Sequence, residues 1–241
     1  MTTPAHPSAE QVLASIEQAG GEIQDSRTLS PVQMLPLNEQ ASRILQSSSD
    51  AQDKDDLQAE EAAHKAAAAW QIGLQGILLS LQSKEMINFR SIDAQPLFLT
   101  LDGRQTIRLG SPEYRLWSAL PETGEGRSQP DLESMLGKDT FKLAQSRAFR
   151  NKIVRRLPDG TFARAESTLD QQLGDETRSE LVELAKTGKL QGEGADKKIA
   201  ELKKRKMVGQ RKLLYFSMAK GPQFALTVQK LETDLTSDML A

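Results

Sequence analysis

Apolar residues recur at helical spacing in short stretches separated by polar breaks. Residues 10–18 carry Val12, Leu13 and Ile16 at that spacing, and Gly20-Gly21 stops the helix they predict. A weaker pattern follows in residues 33–46 (Met34, Leu35, Leu37, Ile44, Leu45). Residues 47–61 are polar and acidic with almost nothing to bury, and they read as a mobile insertion kept extended by its like charges. Removing it is expected to change stability little. From residue 60 to 81 the chain turns Ala-rich and then apolar, and Trp70, Ile72, Leu74, Ile77, Leu78 and Leu81 predict a long helix buried along one face. Residues 86–91 and 96–101 read as two short strands around a turn-like Asp93-Ala94-Gln95.

The order then repeats. Residues 112–120 predict a helix with Tyr114, Leu116, Trp117 and Leu120 inward, and residues 121–124 break it. A second helix starts at Pro130, and a third covers residues 138–151. Strands at 153–157 and 162–165 flank Pro158-Asp159-Gly160, a strong hairpin turn. Residues 169–186 form an acidic helical connector closed by Thr187-Gly188; a helix at 195–205 and strands at 212–218 and 224–229 complete the chain. Helices followed by a two-stranded ribbon are the element order of a winged helix. The expected fold class is therefore α+β, mostly helical, built of tandem small winged-helix modules. The expected boundaries are 1–108 with the acidic insertion 47–61, 109–168, a connector at 169–194, and a winged-helix-like module with the start of a linker at 195–241. The modules share element order but no strict residue-level period.

Composition narrows the chemistry. With 38% hydrophobic and 5% aromatic residues in 241, several small cores are easier to build than one large one. A net charge of −2 hides segregation, acidic residues gathering early and basic ones in two later patches. The absence of cysteine excludes disulfides, thiolate metal sites and thiol nucleophiles. His6 and His64 have no evident partner in the sequence and read as solvated. No apolar run approaches the ~20 residues of a membrane helix, and the first eight residues lack the order of a signal peptide, so a cytoplasmic location is expected. Gly188 and Gly192-Glu193-Gly194 lack the Lys-Ser/Thr ending of a phosphate loop. No catalytic, cofactor-binding or metal-binding constellation is expected.

The sharpest local signal is basic. Lys138, Lys142, Arg147, Arg150, Lys152, Arg155 and Arg156 lie on one helix and the strand after it, opposed only by Asp139. On an ideal helix Leu143, Ala144 and Phe149 pack inward while Lys142 and Arg147 face out. The third helix of a winged helix enters a groove and its ribbon touches phosphates. Such contacts fix register without reading bases, and A-form RNA hides its base edges, so shape and backbone recognition is the expectation. A solvated basic face is the competing reading. A second run, Lys203, Lys204, Arg205 and Lys206, with Arg211 and Lys212 beyond, admits RNA contact, a weak nuclear-localisation patch, or helix-end stabilisation of ~0.3–1 kcal/mol per charge. Trp70 and Trp117 read as core; of the adjacent Tyr215 and Phe216 one faces in and one out.

Residues 202–207 (LKKRKM), Lys220-Gly221-Pro222 with Phe224, and residues 231–239 (LETDLTSDM) stand in an order that resembles the N-terminal region of the cytosolic phenylalanyl-tRNA synthetase α subunit of the fungal and animal type. Gly137-Lys138 and residues 145–152 (QSRAFRNK) resemble the family more loosely. The resemblance implies a tRNA-binding appendage of a heterotetrameric α2β2 phenylalanine ligase, with phenylalanine-specific tRNA and the β subunit as partners. It also implies that ATP and Mg²⁺ are used by a class II catalytic domain outside this sequence, so the chain alone is expected to lack aminoacylation activity. A stand-alone winged-helix DNA-binding or transcription-associated protein remains the alternative, since fold does not fix function. Nothing in the sequence resembles a dimer seam.

Overall fold

The computed structural model describes residues 6–32, 37–47, 49–166 and 174–228. In chain order the elements are α1 (Ala9–Gln18), β1 (Glu22–Ile23), a 3₁₀ helix (Ser26–Leu29), α2 (Leu37–Gln46), α3 (Asp50–Ser83), β2 (Ile87–Ala94), β3 (Leu97–Leu99), α4 (Leu101–Leu109), α5 (Pro112–Ala119), α6 (Gln129–Leu136), α7 (Lys138–Arg150), β4 (Val154–Arg156), β5 (Phe162–Arg164), α8 (Glu176–Thr187), α9 (Ala195–Lys204), β6 (Val208–Gln210) and β7 (Leu213–Lys220). The chain is thus mixed helix and strand with small antiparallel sheets, within the α+β class.

Two compact units are assembled from separated segments. The first takes the described parts of 1–34, 59–96 and 211–241. Its α1 starts at a reciprocal cap, in which the Ser8 hydroxyl accepts from the Gln11 N–H and the Gln11 side chain accepts from the Ser8 N–H. Strands pair in the order β1-β7-β2, and Val12, Leu13, Ile16, Trp70, Leu74, Leu78, Phe216 and Met218 close the core beneath them. Among the polar groups inside, the Ser26 hydroxyl donates to Gln71 Oε1 at 2.7 Å and accepts from the Phe216 N–H at 2.9 Å, so its burial leaves the hydroxyl paired. Tyr215 faces outward beneath the Arg27 guanidinium, 4.2 Å above its ring.

The second unit takes the described parts of 35–58 and 97–210 and holds two cores. Helices α2, α4, α8 and α9 with the β3-β6 pair enclose Ile44, Leu99, Ile107, Leu181, Leu184, Leu202 and Val208. Between α4 and α8 the chain makes a separate fold of α5, α6, α7 and the β4-β5 hairpin around Leu116, Trp117, Leu132, Phe141, Ala148 and Phe162. Capping explains its punctuation: Ser111 and Ser128 accept from the N–H groups of Tyr114 and Asp131, each followed by a proline in the first helical turn. Gly137, at φ +85°, turns α6 into α7 without a break, a conformation other residues resist.

Several expectations are corrected. The acidic stretch is not an extended insertion, for α3 begins at Asp50. Its residues are mostly good helix formers, Ser49 Oγ accepts from the Gln52 N–H, and Asp50 and Asp53 favour the positive end of the helix. Asp53 is fully buried and pairs with Arg108 at 3.2 Å, and Asp50 pairs with the same guanidinium. Removing this stretch therefore costs stability. Asp53→Ala is expected to destabilise the second unit by about 2 kcal/mol, because it leaves a mostly buried guanidinium short of a charged acceptor; urea unfolding checks it.

β2 and β3 do not form a ribbon with one another. β2 pairs over eight residues with β7, and β3 with β6, each partner lying more than a hundred residues on. Long-range pairing outweighs the local turn signal, and the described residues group into the two discontinuous units given above. A helix, α4, follows β3 over residues for which no element was predicted, with Thr100 as its cap. Residues 224–228 form no strand, while residue 229 and the 231–239 motif lie outside the described residues. α8 starts at Glu176, the stretch 167–173 before it also lying outside them. Ile72 is 65% exposed, whereas Trp70, Leu74, Leu78 and Leu81 are buried as expected. His6 lies against Gly73, where an added Cβ would meet its ring at 2.1 Å. His64 is held below the ordinary imidazole range by partial burial and then by the Arg211 charge.

Candidate nucleic-acid interface

Residues 111–166 run as helix, helix, helix and hairpin, with Arg127 bridging Phe162 between the first two helices. α7 presents Phe141, Ala144 and Ala148 to the core, which places Lys138, Lys142, Ser146 and Arg150 toward its outer face. Leu143, expected inward, is 68% exposed on that face, and Phe149 is only partly covered, its ring tilted beside Phe162 at 6.0 Å. Charge along this helix is thus interleaved with apolar surface.

The chain leaves α7 through Lys152 at φ +56°; the N–H groups of Lys152 and Ile153 donate back to the carbonyls of Phe149 and Ala148. This double closure of a helix end normally uses glycine. Two other helix ends repeat it, with Glu85 at φ +55° after α3 and Lys206 at φ +58° after α9. Aligned on those residues, 81–87 (LQSKEMI), 148–154 (AFRNKIV) and 202–208 (LKKRKMV) share an apolar anchor, a left-handed Lys or Glu, then an apolar pair entering a strand. That short recurrence was the signal available for the strands after α3 and α9. Lys152→Gly is expected to keep stability or raise it by up to ~1 kcal/mol while removing one cation. A thermal melt beside a binding titration checks both halves.

The eleven basic candidates divide by what they touch. Lys138, Lys142, Arg150 and Lys152 are exposed and make no ion pair among the described residues. Arg156 is also exposed, resting 5.7 Å over the Phe162 ring with its Nε donating to the Gly160 carbonyl at 3.3 Å. At the tip of that hairpin, Asp159 accepts from the Thr161 hydroxyl and N–H, which holds its carboxyl below the ordinary range. Arg155 pairs with Glu166 at 3.0 Å and donates to the Arg164 carbonyl. Arg147, expected to face solvent, pairs with Glu201 of α9. Lys204 and Lys206 are exposed and Lys203 half-buried, the Lys206 carbonyl accepting from the Thr100 hydroxyl.

Arg205 does something else. Its guanidinium grips both oxygens of the buried Glu113 at 2.8 and 2.9 Å and donates to the Thr177 hydroxyl at 3.0 Å. Asp175 adds a second tie, accepting from the N–H of Ser111 at 2.6 Å and from the N–H of Arg178 at 3.0 Å. These contacts fasten the inserted 111–166 fold to its host helices. Arg147 and Arg205 are spent on internal carboxylates, and their sequence neighbourhood gave no sign of it because Glu201 and Glu113 belong to other elements. Trp70 and Trp117 are buried core residues, and Arg164 lies 4.1 Å above the Trp117 ring.

Among the described residues no group of His, Asp and Glu has the arrangement of a metal site, and no helix is long and apolar enough to cross a membrane. Residues 111–166 match the family model described as PheRS DNA binding domain 3. Over 168 residues the chain is 35% identical to a phenylalanine–tRNA ligase alpha subunit from Saccharomyces cerevisiae, covering 68% of this chain and 33% of that one. The corresponding subunit of Schizosaccharomyces pombe is 32% identical over 166 residues (69% and 32%), and that of Homo sapiens 28% over 167 (69% and 32%). The chain spans about a third of the length of the curated relatives it matches.

Proposed function

We propose, from the premise that this chain is homologous to phenylalanine–tRNA ligase alpha subunits over about two thirds of its length, that it is the tRNA-binding N-terminal part of such a subunit, acting in phenylalanyl-tRNA formation. The observation that carries the proposal is the exposed set Lys138, Lys142, Arg150 and Lys152 on α7 and the turn after it, which makes no ion pair among the described residues and lies inside the segment that matches the family model. In this reading the α5–β5 fold is a winged helix. Its support is the order helix, short bridge, helix, helix, strand, strand, with the bridge made to the last strand. The first unit has the same order from α1 to β7, with the last strand central. The modules are nested rather than strictly tandem.

Phosphate contact by these cations is sequence-tolerant, which suits recognition of a folded RNA by shape. The expected setting is cytoplasmic, with the β subunit as partner in an α2β2 assembly and with ATP and Mg²⁺ used by the catalytic part rather than by this stretch. The names of the relatives disfavour a stand-alone transcription protein. Filter binding by the full chain tests the reading: phenylalanine tRNA transcript should be retained at lower protein concentration than a DNA duplex of equal charge. Equal retention of both would contradict it.

A further inference from the structure

A cavity of about 290 Å³ opens in the second unit where the outer side of α7 meets the α4–α5 turn and the end of α9. Arg115, Lys142, Arg147, Arg150 and Arg205 line it, and Asp102 is the one carboxylate among its lining residues. Arg205 is neutralised by Glu113 and one arm of Arg147 by Glu201. Arg115, Lys142 and Arg150 have no carboxylate partner among the described residues, and the Arg147 Nε is buried without an acceptor. A buried unpaired donor beside three uncompensated cations is costly unless an anion completes it. Pro112, Leu143 and Met207 supply an apolar side to the same cavity.

We propose that this cavity takes one unpaired nucleotide, its phosphate held by Arg115, Arg147 and Arg150 and its base set against the apolar side. The volume suits a single nucleotide and not a duplex, and planar guanidinium groups match phosphate oxygens in pairs. The proposal deepens the RNA reading and rests on it for the source of the nucleotide, an unstacked residue of an RNA strand; a free nucleotide offers the same chemistry.

The test uses the full chain, with uridine monophosphate and uridine as probes and the ¹⁵N side-chain resonances of arginine as the readout. Uridine monophosphate should shift the Arg147 Nε–H resonance saturably, uridine should not, and the double variant Arg115→Gln/Arg150→Gln should weaken the nucleotide by roughly tenfold or more. Both substituted residues lie outside the Glu113 and Glu201 pairs, and an unchanged backbone spectrum verifies the fold. Equal shifts by both probes, a non-saturating response or an unaffected double variant each overturn the proposal. Displacement by a poly-glutamate peptide at lower concentration than by a short single-stranded RNA also overturns it, by assigning the cavity to an acidic protein segment. Displacement by the RNA fixes the strand as the source, and saturation without it fixes a free nucleotide. If tRNA retention is absent while uridine monophosphate saturates, the RNA reading falls and the cavity stands; the reverse pattern removes the cavity alone.

Discussion

Phe162→Ala is expected to lower the stability of the second unit by about 3–5 kcal/mol, with the loss concentrated in residues 111–166. The ring is fully buried and stands edge-on to Phe141 at 5.5 Å, with Phe149 beside it at 6.0 Å and the Arg156 guanidinium 5.7 Å from its centroid. Its backbone exchanges both hydrogen bonds with Arg127, so one residue anchors the hairpin to the three helices. Truncation leaves a cavity that two aromatic neighbours cannot collapse into, and it loosens the hairpin that carries Arg156. Hydrogen exchange should show protection falling in α5–β5 ahead of the other helices. Uniform loss over the unit, or a loss under 1 kcal/mol, contradicts this account of the core.

Glu113→Ala is expected to cost about 3 kcal/mol or more, because it strands Arg205 where its side chain is only 18% exposed. The Thr177 hydroxyl loses its acceptor at the same time. The double variant Glu113→Leu/Arg205→Met should recover much of that loss, since replacing both members of a buried pair by apolar groups is close to neutral. Urea unfolding of the three proteins checks this. A double variant as unstable as Glu113→Ala would mean that the two side chains do not act as a pair. Because Arg205 faces Glu113, its loss should change RNA affinity only through stability.

The inserted fold was legible almost residue by residue. Serine caps with following prolines, the Pro158-Asp159-Gly160 turn and the periodicity around Leu116, Trp117 and Phe141 all act over short range. The two host folds were not, because their sheets join segments over a hundred residues apart, and no local pattern says that Ile87 faces Lys220 or that Leu97 faces Gln210. The acidic stretch misled for another reason: charge density suggested extension, yet Arg108, 55 residues from Asp53, compensates it. Of the basic candidates, Lys142 is exposed as helical phase predicted, while Leu143, placed inward by the same phase, is exposed too. Arg147 and Arg205 do not follow from phase, because their carboxylate partners are distant in sequence.

The salt dependence of tRNA binding tests the central claim most directly. The full chain and a variant with Lys138, Lys142, Arg150 and Lys152 replaced by alanine should be titrated with phenylalanine tRNA at two salt concentrations. All four are exposed, and each substitution should change stability by less than ~0.5 kcal/mol. If they meet the RNA backbone, the variant binds more weakly at low salt, and its salt slope is shallower by up to about one unit for each phosphate that is no longer neutralised. The same affinity and the same slope in both proteins would contradict the claim and leave α7 a solvated basic face.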